Sequence, residues 1–255
     1  IILFQFTIFI SGNLSFLNLL TIIPALACFD DAFLSKVLPR SIVRQSKDAD
    51  LNSVNSKPML TTAWIITAVV ALLSIQPVIN LFSSRQIMNT SFEPFDLVNT
   101  YGAFGNVGKQ RWNVVFEGTR DNDTTDKANW KPYVYKGLPV DPSKSSPQIA
   151  PYQLRLDWQM WFASMSSPNE YPWTVHLVWK LLHNDANAVN LFANNPFPAK
   201  PPKYIRAVLY RYSFAEPGNP QHLWWNRQRV DVWLPPLSVD DPVLHKFLKA
   251  YGWIP

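Results

Sequence analysis

Cysteine is almost absent from this chain: Cys28 is the single one among 255 residues. One thiol forms no intrachain disulfide, and its place at the end of an apolar stretch argues against thiol catalysis. Glycine is scarce as well, with eight in all. Neither a P-loop nor a G-x-G-x-x-G fingerprint occurs, and Gly102-Ala103-Phe104-Gly105 is too sparse to cradle phosphate. A G-x-S-x-G elbow is missing too, which excludes hydrolases of the α/β kind. The four histidines are His176, His183, His222 and His245. His176 and His183 stand seven apart, wider than the i, i+4 spacing of helical zinc ligands, and no carboxylate set accompanies them. They read as structural or solvated side chains. No catalytic, cofactor-binding or metal-binding residue is therefore assigned. The net charge is +5, but from Arg85 onward 18 basic and 14 acidic residues are dispersed without a basic stripe. That pattern excludes nucleic acid as a partner.

The apolar residues are present in long runs. Residues 1–29 are nearly all apolar, interrupted at Ser11-Gly12-Asn13 and carrying Pro24. The run exceeds the roughly 20 residues needed to cross a bilayer, and its interruption suits a helix end. It reads as one or two transmembrane pieces, incomplete at the start. The opening Ile1-Ile2-Leu3-Phe4 has no Met and no basic flank, unlike a signal peptide. A polar, basic loop follows over 30–59, with Lys36, Arg40, Arg44, Lys47 and Lys57. Residues 60–82 form a second uncharged run with Trp64 near its start, expected as a transmembrane helix. Short loops rich in Lys and Arg stay on the cytosolic or stromal face. Residues 83–255 are then expected as a globular domain on the opposite, lumenal side. Two glycosylation sequons fall there, Asn89-Thr90-Ser91 and Asn122-Asp123-Thr124.

The domain shows strand periodicity. Trp112, Val114 and Phe116 alternate with Arg111, Asn113 and Glu117; Tyr204, Val208, Tyr210, Tyr212 and Phe214 share one face; Val230, Val232 and Leu234 alternate with Arg229, Asp231 and Trp233. Trp173 to His183 is apolar almost all round and reads as a buried helix. Asn184-Asp185 marks a break and N-cap before a short helix over 186–193. Asn195 to Pro202 is proline-rich and is expected as an extended connector. The fold class is α+β: a β-rich antiparallel domain with a few helices, preceded by transmembrane helices.

Asp157 lies among Trp158 and Trp161 and has two readings. It could be a general acid of raised pKa, or a structural partner of Arg155 two residues away on one strand face; the structural pair is preferred, since buried charges are normally matched. Ten of the eleven tryptophans follow the second apolar run. Most are expected in the core, with Trp224 and Trp225 exposed as a surface for apolar partners.

Several blocks resemble the lipase maturation factor family. Asn99-Thr100-Tyr101-Gly102-Ala103-Phe104-Gly105 and Glu117-Gly118-Thr119 are similar to the opening of its C-terminal domain. So is Ala150-Pro151 through Arg155-Leu156-Asp157-Trp158-Gln159-Met160-Trp161-Phe162. Asn195-Pro196-Phe197-Pro198, with Pro201 through Ala207, resembles a third block. Ser11-Gly12-Asn13 with Phe16 through Thr21, ending in Asp30-Asp31, looks like the family's membrane region. The resemblance implies a multi-span protein of the endoplasmic reticulum with a lumenal C-terminal domain, which matures secreted lipases without being one. It also makes Asn99, Tyr101, Gly102, Phe104, Gly105, Glu117, Gly118, Pro151, Arg155, Asp157, Trp158, Trp161, Asn195, Pro196 and Phe197, with Trp224 and Trp225, family-motif or candidate partner-contact residues. The expected partners are membrane lipid and either a secreted lipase client or the subunits of a membrane complex. The alternative role is a structural or accessory subunit of such a complex, for instance in a plastid (thylakoid) membrane.

Overall fold

The computed structural model describes residues 1–12, 15–51, 57–101 and 110–254. The chain forms two compact units, Ile1–Leu26 with Gln110–Pro255, and Ala27–Lys109.

In the first unit, α1 (Ile2–Gly12) and α2 (Leu17–Leu26) form an apolar helical pair. Helix α1 ends at Gly12, within the interruption expected from sequence, and Ser15 takes a positive φ of 59° before α2. Asn18 is buried in this pair, where its side-chain amide donates to Gln5 Oε1 at 2.6 Å.

The second unit holds α3 (Asp31–Val37), α4 (Arg40–Leu51), α5 (Lys57–Leu73) and α6 (Ile75–Leu81). Residues 30–59, expected as a loop, are thus largely helical. Asp30 caps α3 by accepting from the Phe33 N–H at 2.7 Å. Lys57–Leu81 together is 25 residues long, apolar, and unburied along its length. At about 1.5 Å per residue it is long enough to cross a hydrocarbon core. Beyond it, β1 (Thr90–Ser91) and β2 (Asn99–Thr100) pair antiparallel.

The larger sheet belongs to the first unit. Its strands are β3 (Arg111–Thr119), β4 (Lys131–Pro132), β5 (Tyr204–Phe214) and β6 (Trp225–Ser238), all antiparallel in the order β4-β3-β5-β6. The alternation of large apolar residues fixes the register of β3 on β5, pairing Val114 with Leu209 and Glu117 with Arg206. Residues 113–119 of β3 are buried on both faces, so Val115, which breaks the alternation, is a core residue like its neighbours. Strand β6 departs from expectation. It is an edge strand with three register irregularities against β5, and Val230 and Val232 are exposed while Leu234 and Leu237 are buried. An edge leaves room for such residues, and for Pro235 and Pro236, which donate no ladder hydrogen bond.

Four helices complete the unit: α7 (Arg155–Ala163), α8 (Trp173–Leu182), α9 (Ala186–Val189) and α10 (Pro242–Ala250). Helix α7 packs on β3, α8 on β5 and α10 on α8. Six of the ten residues of α8 are buried, as its all-round apolar sequence requires. It ends at Asn184 in the left-handed region (φ 52°), and Asp185 caps α9 by accepting from the Ala188 N–H. Asp241, followed by Pro242, caps α10 in the same way.

The histidines are engaged locally. His176 stacks on Trp253 with ring centroids 4.8 Å apart, His183 meets the Trp179 carbonyl at 2.8 Å, and His245 meets the Val239 carbonyl at 2.7 Å.

Candidate functional site

Five of the residues singled out from sequence converge on one pocket of about 420 Å³: Asp157, Trp158, Trp161, Trp224 and Trp225. All belong to the first unit, and the end of α1 (Ile10, Ser11, Gly12) with Ser15 completes the wall. Two hydrogen bonds hold this helical turn in place. Gln148 Nε2 donates to the Phe9 carbonyl at 3.0 Å, and the Ser15 hydroxyl donates to the Pro151 carbonyl at 3.3 Å. Pro151 itself is exposed, follows a cis peptide bond and contributes its carbonyl to this tie.

Asp157 sits in the first turn of α7, not on a strand, and this overturns the expected pairing with Arg155. On a helix, residues two apart point in different directions, so Arg155 is exposed while Asp157 is 5 % exposed. Its partners are backbone groups: Oδ1 accepts from the Gly137 N–H at 2.6 Å and the Leu138 N–H at 2.9 Å. Oδ2 is buried and has no hydrogen-bond partner among the described residues. Burial pushes this carboxyl above the usual carboxylate range, against the pull of the two N–H donors. Gly137 allows the close approach, since a Cβ there would lie 3.3 Å from Asp157 Oδ1 and 3.2 Å from Leu154.

Arg111 lies in the same wall. Its Nε is buried with no hydrogen-bond partner among the described residues, burial lowers the pKa of the guanidinium, and its Cζ stands 5.8 Å from the Trp225 ring centroid. Aromatic rings share the remaining walls with Ser145, Ser146, Gln148 and Gln153. Trp158 and Trp161 meet edge-on at 5.6 Å, and Phe214 stacks on Trp225 at 4.7 Å. Trp224 and Trp225 were expected exposed together. Trp224 lies just before β6 and is 57 % exposed, while Trp225, its first residue, is 6 % exposed with its indole N–H on the Lys144 carbonyl. The pocket therefore offers aromatic ring faces beside serine and glutamine side chains, with Asp157 and Arg111 set into its wall. Such a lining binds a largely apolar group that carries a polar function. Sequence reasoning missed Arg111, Phe214 and the end of α1. Each is brought in by register or chain reversal and carries no local signal.

A second group gathers at the other end of β3. Glu117 accepts from Arg206 at 2.9 Å and from the Tyr210 hydroxyl at 2.8 Å, all three buried. Arg206 also meets Asp126 at 2.6 Å and covers Trp130, its Cζ 4.1 Å from the ring centroid. Asp126 pairs with Arg229 as well, and the two arginines, Arg229 foremost, hold its carboxyl below the usual range. Gly118 faces Phe197, where a Cβ would fall 2.6 Å from the ring. Asn195 accepts from the Phe197 N–H and donates to Asn184, with half-buried Pro196 between, so the proline-rich connector is pinned onto the sheet. These residues hold the fold.

Asn99 and Tyr101 lie in the unit Ala27–Lys109, where the Asn99 amide donates to the Tyr101 hydroxyl at 2.8 Å. Gly102, Phe104 and Gly105 lie outside the described residues.

Comparison with known proteins matches these features to one family. Residues 97–235 match the lipase maturation factor C-terminal domain, and residues 1–36 match the lipase maturation factor transmembrane domain. Lipase maturation factor 1 of Mus musculus is 44% identical over 99% of this chain and 47% of its own length. The Homo sapiens protein of the same name is 41% identical over 99% of the chain and 47% of its own length. Lipase maturation factor 2 of Rattus norvegicus is 35% identical over 68% of the chain and 24% of its own length. The chain spans about half the length of the lipase maturation factor 1 relatives it matches. No solved structure matches it. The match to a transmembrane domain and the unburied apolar helix Lys57–Leu81 agree on membrane association. With well over half of its residues matching family models, this chain belongs to the lipase maturation factor family.

Proposed function

We propose that this chain serves as a membrane-bound, non-catalytic folding or assembly factor for secreted lipases, with the sheet unit on the lumenal side of the endoplasmic reticulum. The observation that carries the reading is the 44% identity to a lipase maturation factor over 99% of the chain. The aromatic pocket beside α1 is the surface through which it acts. Its ring faces receive an apolar segment that an incompletely folded lipase still exposes. Binding of this kind prevents wrong contacts until the client buries the segment itself, and it requires no bond making. The basic connection that precedes Lys57–Leu81 supports the orientation, since such segments stay cytosolic.

The test is a secretion assay in cells lacking their own lipase maturation factor. Expression of this chain with a secreted lipase is expected to raise active enzyme in the medium. Trp161→Ala with Trp224→Ala is expected to reduce that gain while leaving the amount of chain unchanged. Lipase activity that stays at the level of untransfected cells would sink the proposal.

A further inference from the structure

We propose that Asn122 is the acceptor of an N-linked glycan and that Asn89, the other sequon asparagine, is not. The inference rests on the lumenal placement proposed above. Asn122 lies in the loop between β3 and β4, is exposed, and is followed by Asp123 and Thr124, which are exposed as well. A sequon needs a hydroxyl at its third position and no proline at its second, and Asn122-Asp123-Thr124 meets both conditions. Within the folded loop the Asn122 amide uses only its oxygen, which accepts from Lys203 Nζ at 2.6 Å. Among the described residues the nitrogen that would carry the sugar has no hydrogen-bond partner, and a glycosylated amide keeps its oxygen, so the Lys203 contact survives modification.

The loop is also anchored beside the acceptor rather than at it. Asp123 receives the Thr125 N–H and hydroxyl, Asp121 receives the Asn129 N–H, and Asp126 clamps Arg206 and Arg229. A glycan at Asn122 would project to solvent without disturbing these bonds. Strand β3 runs nine residues from Arg111 in the pocket wall to Thr119 beside this loop, a separation of about 27 Å at strand rise. The sugar therefore stands at the end of the sheet remote from the aromatic pocket and leaves it open.

Asn89 is exposed and heads a valid sequon as well, but its surroundings differ. It follows Leu81, the last residue of the apolar helix, by eight positions, which keeps it close to the bilayer. Its backbone is in the left-handed region (φ 54°), and the Ser91 hydroxyl of its sequon donates to the Glu93 carbonyl at 2.8 Å.

The chemistry is a transfer by the host's membrane oligosaccharyl transferase from a polyprenyl-diphosphate oligosaccharide. The Asn122 Nδ2–C1 glycosidic bond forms, the C1–O bond to phosphate breaks, and the lipid diphosphate leaves as the amide gives up one proton.

The full chain would be translated with microsomes, and its mobility compared before and after endoglycosidase digestion. One digestible glycan is expected, lost in Asn122→Gln and Thr124→Ala, retained in Thr124→Ser and unchanged in Asn89→Gln. A control, Lys144→Asn, creates a sequon with Ser146 in another exposed loop of the same unit. A glycan on the control but none on the native chain overturns the assignment and leaves the lumenal reading intact. A glycan that persists in Asn122→Gln and disappears in Asn89→Gln overturns it as well. If neither chain is modified, the assignment and the lumenal placement fall together.

Discussion

The helix pair Lys57–Leu81 and the helix α8 are both built almost wholly from apolar residues, yet their surroundings are opposite. Six of the ten residues of α8 are buried by the sheet and by α10, whereas Lys57–Leu81 has none of its span covered by protein. Trp64, Ile65 and Leu72 expose 68 %, 60 % and 69 % of their surface. Leaving such side chains in water would cost about 1.5–3 kcal/mol each, so this helix needs lipid around it as α8 needs the sheet. One apolar sequence pattern thus serves two solvents, and what differs is whether the chain itself supplies the cover.

The sharpest way to break this comparison is to place a charge in each helix. Val178→Arg buries an unpaired charge at a position with no exposure, and should unfold the sheet unit outright by circular dichroism and urea titration. Val70→Arg should leave that unit folded and instead weaken membrane insertion by about 2.5–3.5 kcal/mol, read by carbonate extraction. Loss of the fold in Val70→Arg would end the distinction.

Within the sheet unit the buried ion cluster should matter more than its exposed rim. Glu117→Ala leaves Arg206 buried with its partner removed on one side, and a loss of about 3–5 kcal/mol in urea unfolding is expected. Asp126→Ala, at a side chain 61 % exposed, should cost less than about 1 kcal/mol. Equal losses would show that burial does not set the scale here.

Packing at the proline-rich connector comes next. Gly118→Ala drives a methyl into the buried Phe197 ring and should cost about 1–3 kcal/mol. Adding Phe197→Leu should cost less than the sum of the two single changes, since both act on one contact. Strict additivity in a double-mutant cycle would refute the clash.

The smallest effect concerns pH. Burial raises the folded-state pKa of Asp157 above its unfolded value of about 3.9. The folded chain then holds the proton more tightly, so this contribution is complete below about pH 4 and is lost as pH rises through the folded-state value. Asp157→Asn keeps an acceptor for the Gly137 and Leu138 N–H groups and should flatten that decline. Urea midpoints from pH 4 to 7 that fall equally in both proteins would contradict the burial argument.

Much of the fold could be read in advance where periodicity is local. Strands β3 and β5, helix α8 and the Asp185 cap follow directly from side-chain spacing. Asp157 did not, because Arg155-Leu156-Asp157-Trp158 fits a strand or a helix turn equally well, and only packing against β3 decides between them. Val230 and Val232 alternate like core residues but lie on an edge, which no single strand can know about itself. The candidate site was legible as residues and not as a place. Asp157, Trp161 and Trp225 stood out by type, while Arg111, Phe214 and the end of α1 reach the same pocket only through strand register and chain reversal.

Sequence alone determined which segments are apolar, which alternate, where α9 is capped, and which family the motif blocks resemble, because these depend on neighbours a few positions apart. Tertiary structure decided that Glu117 meets Arg206, that Gly118 makes room for Phe197, and that Asp157 turns its carboxyl to Gly137. Those contacts join residues distant along the chain, and their energy exists only once the backbone has brought both partners out of water.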